Sequence, residues 1–230
     1  MAWQCSGETN TELITNLYNN NLITEPRIRD AMLNVDRAHY APTSPYTDSP
    51  QPIGHAATIS APHMHASAAS ALLPFLYPGA RVLDIGSGSG YLTAVFAELV
   101  CADGKGKVVG LEHIEALREL GEGNIRKGER GKAYLEGGGV EFVRGDGRRG
   151  WKGKGGGDGE GWDGIHVGAA AVELHEELIE QLKAPGRIFI PVEDSRGDQY
   201  IWIVDKDKEG KVTKKRSMGV RYVPLTDAPV

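Results

Sequence analysis

The stretch VLDIGSGSGYL, running from Val82 to Leu92, decides how this chain folds. A short apolar run into Asp84 reads as a buried strand bounded by a turn. Gly86, Gly88 and Gly90 then permit a tight turn and let a ligand approach the backbone closely. The helix expected after them points its free amide donors and positive dipole end back at that turn. Strand, glycine turn and helix in this order form the opening unit of an open parallel sheet.

Outward from this unit, strand and helix patterns alternate. Strands are expected at 81–85, 108–112, 140–143, 164–167, 187–191 and 200–204, and helices at 91–100, 114–127 and 172–182. This alternation predicts an α/β fold with a doubly wound, mostly parallel sheet covered on both faces. Beyond residue 195 the helical signals cease and strand follows strand, which predicts an antiparallel C-terminal edge. Toward the N-terminus, Leu13, Ile14, Leu17 and Tyr18 share one helical face. A second N-terminal helix is signalled by Thr24 as cap, Pro26 in the first turn, and Ile28, Met32 and Val35 as apolar stripe. Pro42, Pro45, Pro50, Pro52 and Pro62 exclude a regular helix through 42–62, because proline lacks an amide donor. An ordered loop or short extended pieces are expected there, then an alanine-rich helix from residue 63.

The chain has 230 residues, 40% of them hydrophobic, which suits one sizeable domain with a real core. Its net charge is −5, with acids and bases interspersed, so nothing points to a nucleic-acid partner. Cys5 and Cys101 stand far apart and form neither a disulfide framework nor a zinc pattern. The N-terminus lacks a secretory signal, and no run approaches the roughly 20 apolar residues that span a bilayer. A cytoplasmic location is expected, with no membrane contact. Thirteen of the 31 glycines fall between residues 137 and 164, and 152–161 reads KGKGGGDGEG, too poor in apolar surface to order itself. A flexible surface loop is expected there.

Spacing narrows the ligand. A dinucleotide site prefers G-x-G-x-x-G, whereas here the glycines fall as G-x-G-x-G after an acid. That form resembles the first motif of class I, Rossmann-like methyltransferases. Their cofactor, S-adenosyl-L-methionine, carries an ammonium and a carboxylate in place of phosphates, and Asp84 suits the ammonium. Glu112 ends the next expected strand, where an acid can accept from both ribose hydroxyls; as an alternative, it merely starts a helix. Asp146 follows the third strand, where an acid can accept from an adenine amine. Acids at the carboxyl ends of consecutive strands face one crevice.

A second motif, ATISAPHMH from Ala57 to His65, crowds Thr58, Ser60, His63 and His65 into one short segment. A metal site at His63 and His65 lacks a third ligand, so no metal is expected. A serine-hydrolase reading lacks the G-x-S-x-G elbow.

ATISAPHMHA, DIGSGSG, DGIHVGAAA (Asp163–Ala171) and MGVRYVPLTD (Met218–Asp227) together resemble the protein-L-isoaspartate (D-aspartate) O-methyltransferase family. So do the opening MAW, the DRAHYA around Arg37 and Tyr40, and DSPQPIG (Asp48–Gly54), so the similarity covers nearly the whole chain. The resemblance implies a methyl donor, S-adenosyl-L-methionine, leaving S-adenosyl-L-homocysteine as product. The acceptor it implies is the carboxylate of L-isoaspartyl and D-aspartyl residues in damaged proteins and peptides. The ester then decomposes through a succinimide, and part of it opens to normal aspartate. A monomer is implied, with 1–76 as N-terminal helices and substrate loop and 77–230 as the cofactor-binding sheet.

Residue by residue, the resemblance gives Ser60 the place beside the reactive carboxylate, and His65 helps to shape the same site. Asp84, Ile85, Gly86, Ser87, Gly88, Ser89, Glu112, His113, Asp146 and Gly147 match cofactor positions. Ile53, Gly54, His55 and Ala56 line the cofactor from the other side. Thr58 and Ile59 stand with Ser60 at the substrate. Val167, Gly168, Ala169 and Ala170 supply backbone groups to an extended peptide, and Thr226 closes the pocket. Three departures stand out: Ala56 where the family usually has glutamine, a longer glycine-rich run, and an end at Val230 soon after PLTD.

The implied chemistry is simple. An aspartate-like carboxylate with a pKa near 4 is ionised at neutral pH, so no general base is needed. Carboxylate and sulfonium neutralise each other in the transition state, which favours a dry site with the reacting atoms in line. Ser60 would orient the acceptor with one neutral hydrogen bond. A cation there would stabilise the ground state more than the transition state, and ATISAPHMHA contains no Lys or Arg. A cation-free niche is expected. Two other readings are a class I methyltransferase with another acceptor and a non-catalytic binding module on the same fold.

Overall fold

The structure is a computed structural model that describes residues 5–153 and 160–227. The Gly-rich expectation at 152–161 falls mostly outside those residues.

β3 (Arg81–Ile85) lies inside a seven-stranded sheet, with Val82, Leu83 and Ile85 all buried and no face left for solvent. On one side lie β4 (Lys107–Glu112) and β5 (Val140–Arg144), on the other β6 (Trp162–Val167) and β7 (Leu182–Glu193), all parallel. The order β5-β4-β3-β6-β7-β8-β9 reverses direction at β3. A crevice therefore opens above the carboxyl ends of β3, β4 and β6, where doubly wound sheets bind ligands. β8 (Gln199–Lys206) and β9 (Val212–Val220) add antiparallel strands, the expected edge.

α4 (Tyr91–Val100) is buried almost all round, because it is pressed between the sheet and α2 (Pro26–Asn34). α1 (Asn10–Asn19) covers α2, with Leu13, Ile14 and Leu17 facing Ile28 and Met32 in one core. A second core under the opposite face gathers Trp162, Ile165, Leu178 and Ile188. α7 (Glu176–Gln181) supplies Leu178 to it.

Three expectations need correction. Thr24 does not cap α2: Glu25 holds the cap position without a side-chain bond, extended as a residue before proline must be. The single helix at 114–127 is two, α5 (Glu115–Ile125) and α6 (Glu129–Glu136); α6 buries no residue, so it lacked an apolar stripe. α7 is shorter than the expected 172–182: it starts only at Glu176, and Leu182 joins β7. Within the proline-rich stretch, β1 (Gln51–Gly54) and β2 (Ala57–Ile59) pair into a small hairpin whose turn takes Gly54, His55 and Ala56 through positive φ. Directly after it, α3 (Pro62–Leu72) begins with proline in its first turn.

Cys5 and Cys101 are both buried free thiols. No helix among the described residues is long and apolar enough to cross a membrane.

Candidate active site

The turn after β3 is held by its neighbour strand. Gly86 and Ser87 donate to the Leu111 carbonyl at 2.8 and 3.3 Å, and Gly88 donates to Glu112 Oε2 at 3.1 Å. Gly90 is left-handed (φ 83°), and a Cβ there would sit 3.0 Å from Gly121 and from the Phe142 ring. Only glycine fits both conditions. A Cβ on Gly88 would come within 3.2 Å of Ile53 Cδ1, so the β1 hairpin leans on the turn from the other side.

Above the turn lies a cavity of about 290 Å³. Twelve of the expected residues border it: His55, Ala56, Thr58, Ile85, Gly86, Gly88, Glu112, His113, Gly147, Gly168, Ala169 and Thr226. Two smaller cavities, of about 140 and 30 Å³, share Thr58 and Gly168 with it, so the three form one cleft. Ser60 borders both smaller cavities, while Ile59, His65, Asp84, Ser87 and Ser89 border only the smallest.

The three acids differ in use. Glu112 is nearly buried; its Oε1 accepts from His113 N (2.8 Å) and Ile114 N (3.2 Å), and its Oε2 from Gly88 N. A carboxylate oxygen has two acceptor sites, so Oε2 keeps one for a ligand hydroxyl. Asp84 borders the smallest cavity and is also engaged beneath the turn. Its Oδ2 accepts from Thr93 Oγ1 at 2.5 Å and its Oδ1 pairs with His166 Nδ1 at 2.7 Å, which knits β3, α4 and β6 together beneath the turn. Asp146 caps a short turn and forks onto Arg148, which lowers its pKa, and the neighbouring Gly147 borders the cavity. Arg148 pairs as well with Asp227, drawing the C-terminal segment across the cleft.

The expected peptide-binding backbone is mostly occupied. Gly168 N donates to the Ile85 carbonyl, Ala170 N to Val223, and Leu225 N to the Ala170 carbonyl. Val167 is sealed into the lower core. The segment Gly219–Val223 borders the 140 Å³ groove with Ser60 and Met64 instead. Gly54 lies exposed on the hairpin turn, outside the cleft lining.

Residues far away in sequence converge on Ser60. Arg37, fully buried, donates from Nη2 to the Ser60 carbonyl at 2.8 Å and lies over the Tyr91 ring at 5.1 Å. The niche is therefore not cation-free as expected, although the loop itself carries no Lys or Arg. Tyr222 borders the same groove as Ser60; burial pushes its hydroxyl pKa up to about 12, so it is neutral. Gln199 grips the Tyr222 backbone, accepting from its amide at 2.6 Å and donating to its carbonyl at 3.3 Å. His65 is held neutral, its pKa driven well down by burial first and by Arg37 second. His63 turns away to Asp48 at 2.8 Å, and among the described residues no cluster of three His, Cys, Asp or Glu could hold a metal. Arg37 and Tyr222 sat in the stretches DRAHYA and MGVRYVPLTD, and no local pattern assigned them a role.

A glycine turn at the switch point of this sheet, with an acid ending the next strand and a cleft above, defines the class I methyltransferase architecture. The profile of the protein-L-isoaspartate(D-aspartate) O-methyltransferase family matches residues 8–229. A protein-L-isoaspartate O-methyltransferase of Caenorhabditis elegans is 48% identical over 98% of this chain and 96% of its own, and one of Triticum aestivum is 42% identical over 95% and 92%. A Plasmodium falciparum crystal structure described as a protein-L-isoaspartate O-methyltransferase in complex with S-adenosyl-L-homocysteine superposes with a TM-score of 0.86 at 32% identity. That superposition covers 96% of this chain and 99% of the other. The chain belongs to the protein-L-isoaspartate (D-aspartate) O-methyltransferase family.

Proposed function

We propose that this protein methylates the free carboxylate of L-isoaspartyl and D-aspartyl residues in damaged proteins, with S-adenosyl-L-methionine as donor. The observation that carries this reading is the position of Ser60, at the junction between the donor side of the cleft and the groove beside Gly219–Val223. The donor supplies a methyl carbon on a sulfonium; the acceptor oxygen forms the new C–O bond while the C–S electron pair returns to sulfur.

The cleft suits that donor. Gly86 and Gly88 present bare backbone, and Glu112 Oε2 retains an acceptor site for a ribose hydroxyl. Ser60 orients the acceptor carboxylate with a neutral hydrogen bond, and Tyr222 stands beside it as a second neutral donor. Neither has to give up a proton, since the acceptor is ionised at neutral pH. The hairpin turn at His55 and Ala56 covers the donor on one side and Thr226 on the other, limiting water. Family resemblance supports action as a monomer in the cytoplasm; light scattering and cell fractionation test those two points.

The deciding assay incubates the protein and donor with two peptides that differ only in isoaspartate against aspartate. Methyl ester is expected on the isoaspartyl peptide alone. Equal labelling of both, or of neither, overturns the reading in favour of another acceptor.

A further inference from the structure

The acceptor site depends on a buried cation that the reaction itself does not need. Arg37 is among the largest fully buried side chains, and among the described residues no carboxylate lies within ion-pair distance of its guanidinium. An unpaired buried charge is costly, so the fold retains it against a penalty. Burial lowers its pKa to about 10, which leaves it cationic at neutral pH.

The N-terminal helices hold it in place. Asn10, at the start of α1, accepts from the Arg37 amide at 3.3 Å and donates to the Met32 and Leu33 carbonyls at the end of α2. Asp36 caps the turn that carries Arg37 and accepts from Tyr46 Oη at 2.9 Å. The side chain then spans to the Ser60 carbonyl, with Nη1 at 3.4 Å from His65 Nδ1. Ser60 lies just past the last paired residue of β2 and before Ala61, the cap of α3, which makes no side-chain cap bond. Neither ladder nor helix therefore fixes the main chain there.

We infer that Arg37 is a positioning residue for methyl transfer: by gripping the Ser60 carbonyl it fixes the main chain and so aims the Ser60 hydroxyl at the acceptor carboxylate. The inference rests on the role proposed for Ser60. It gives the N-terminal layer a task in turnover beyond packing, since Asn10 and Asp36 transmit the position of α1 and α2 to the reacting group.

A double-mutant cycle in the full chain tests it, using Arg37→Met, Arg37→Lys, Ser60→Ala and the two combinations with an isoaspartyl peptide at saturating donor. Arg37→Met is expected to lower kcat by about tenfold or more, as misplacement of a reacting group does, while S-adenosyl-L-homocysteine affinity stays within about twofold. Arg37→Lys should recover part of kcat. In the Ser60→Ala background the Arg37→Met loss should shrink to about twofold or less, because residues that act as one unit are not additive. An equal loss in both backgrounds, with product affinity kept, overturns the inference and leaves the Ser60 reading standing. Full activity of Ser60→Ala alone overturns the Ser60 reading and this inference together. Should Arg37→Met not fold, Arg37→Lys carries the cycle: full activity, or the same loss with and without Ser60, refutes the positioning role.

Discussion

The glycine turn and the Ser60 loop face each other across one cleft, yet they are built in opposite ways. The turn is held by residues next to it or on the adjacent strand, through Leu111 and Glu112. Ser60 is held by Arg37 from the N-terminal layer and faces a groove shared with Tyr222 from beyond the last strand. The glycine turn is thus fixed by its own strand–turn unit and the next strand, while acceptor orientation depends on segments remote in the chain. Damage to the first should show as lost stability and lost affinity. Damage to the second should show as lost turnover.

The largest effect expected is on the turn. Gly90→Val forces a branched side chain into a left-handed position and against Gly121 and Phe142. Backbone strain and overpacking together should cost about 2–4 kcal/mol, read by denaturant unfolding; a change below about 1 kcal/mol would mean the turn yields easily. Ser60→Ala comes next. A hydrogen bond to a charged group is worth about 1.5–3 kcal/mol, so kcat should drop about 10–100-fold with product affinity nearly unchanged. A matching loss of affinity would erase the contrast between the two regions. Glu112→Ala should weaken donor binding by about 1–3 kcal/mol, seen by calorimetry, and unchanged affinity would remove Glu112 from the ribose site.

The smallest effect concerns pH. His65 is buried and neutral, its pKa held below the ordinary 6.5, whereas the unfolded chain accepts a proton near that value. Its contribution to stability is therefore complete above about pH 6.5 and is lost as pH falls below it, by up to about 1.4 kcal/mol per unit. The midpoint of thermal unfolding should decline from pH 6.5 to 5.5, and less steeply in His65→Gln. Parallel curves for the two proteins would show that the proton goes elsewhere.

The parallel sheet was legible because β3, β4 and β6 each carry apolar residues on both faces and alternate with helical patterns. α6 was not, because none of its side chains is buried, so no stripe marked it. Gly86, Gly88 and Glu112 could be placed from spacing alone. Asp84 and Asp146 matched the same pattern, and spacing did not show their protein partners, Thr93 with His166 and Arg148. An acid ending a strand looks identical in sequence whether it faces a ligand or a neighbour. Arg37 and Tyr222 escaped assignment for a related reason: their partner Ser60 is remote in the chain, and no periodicity connects them.

β9 has consequences beyond the cleft. It closes the sheet as an outer strand whose residues from Thr213 to Gly219 are all exposed, leaving peptide groups along its rim open to another chain. Lys214, Lys215 and Arg216 line that rim, and charge there repels the strand-to-strand pairing that seeds aggregates.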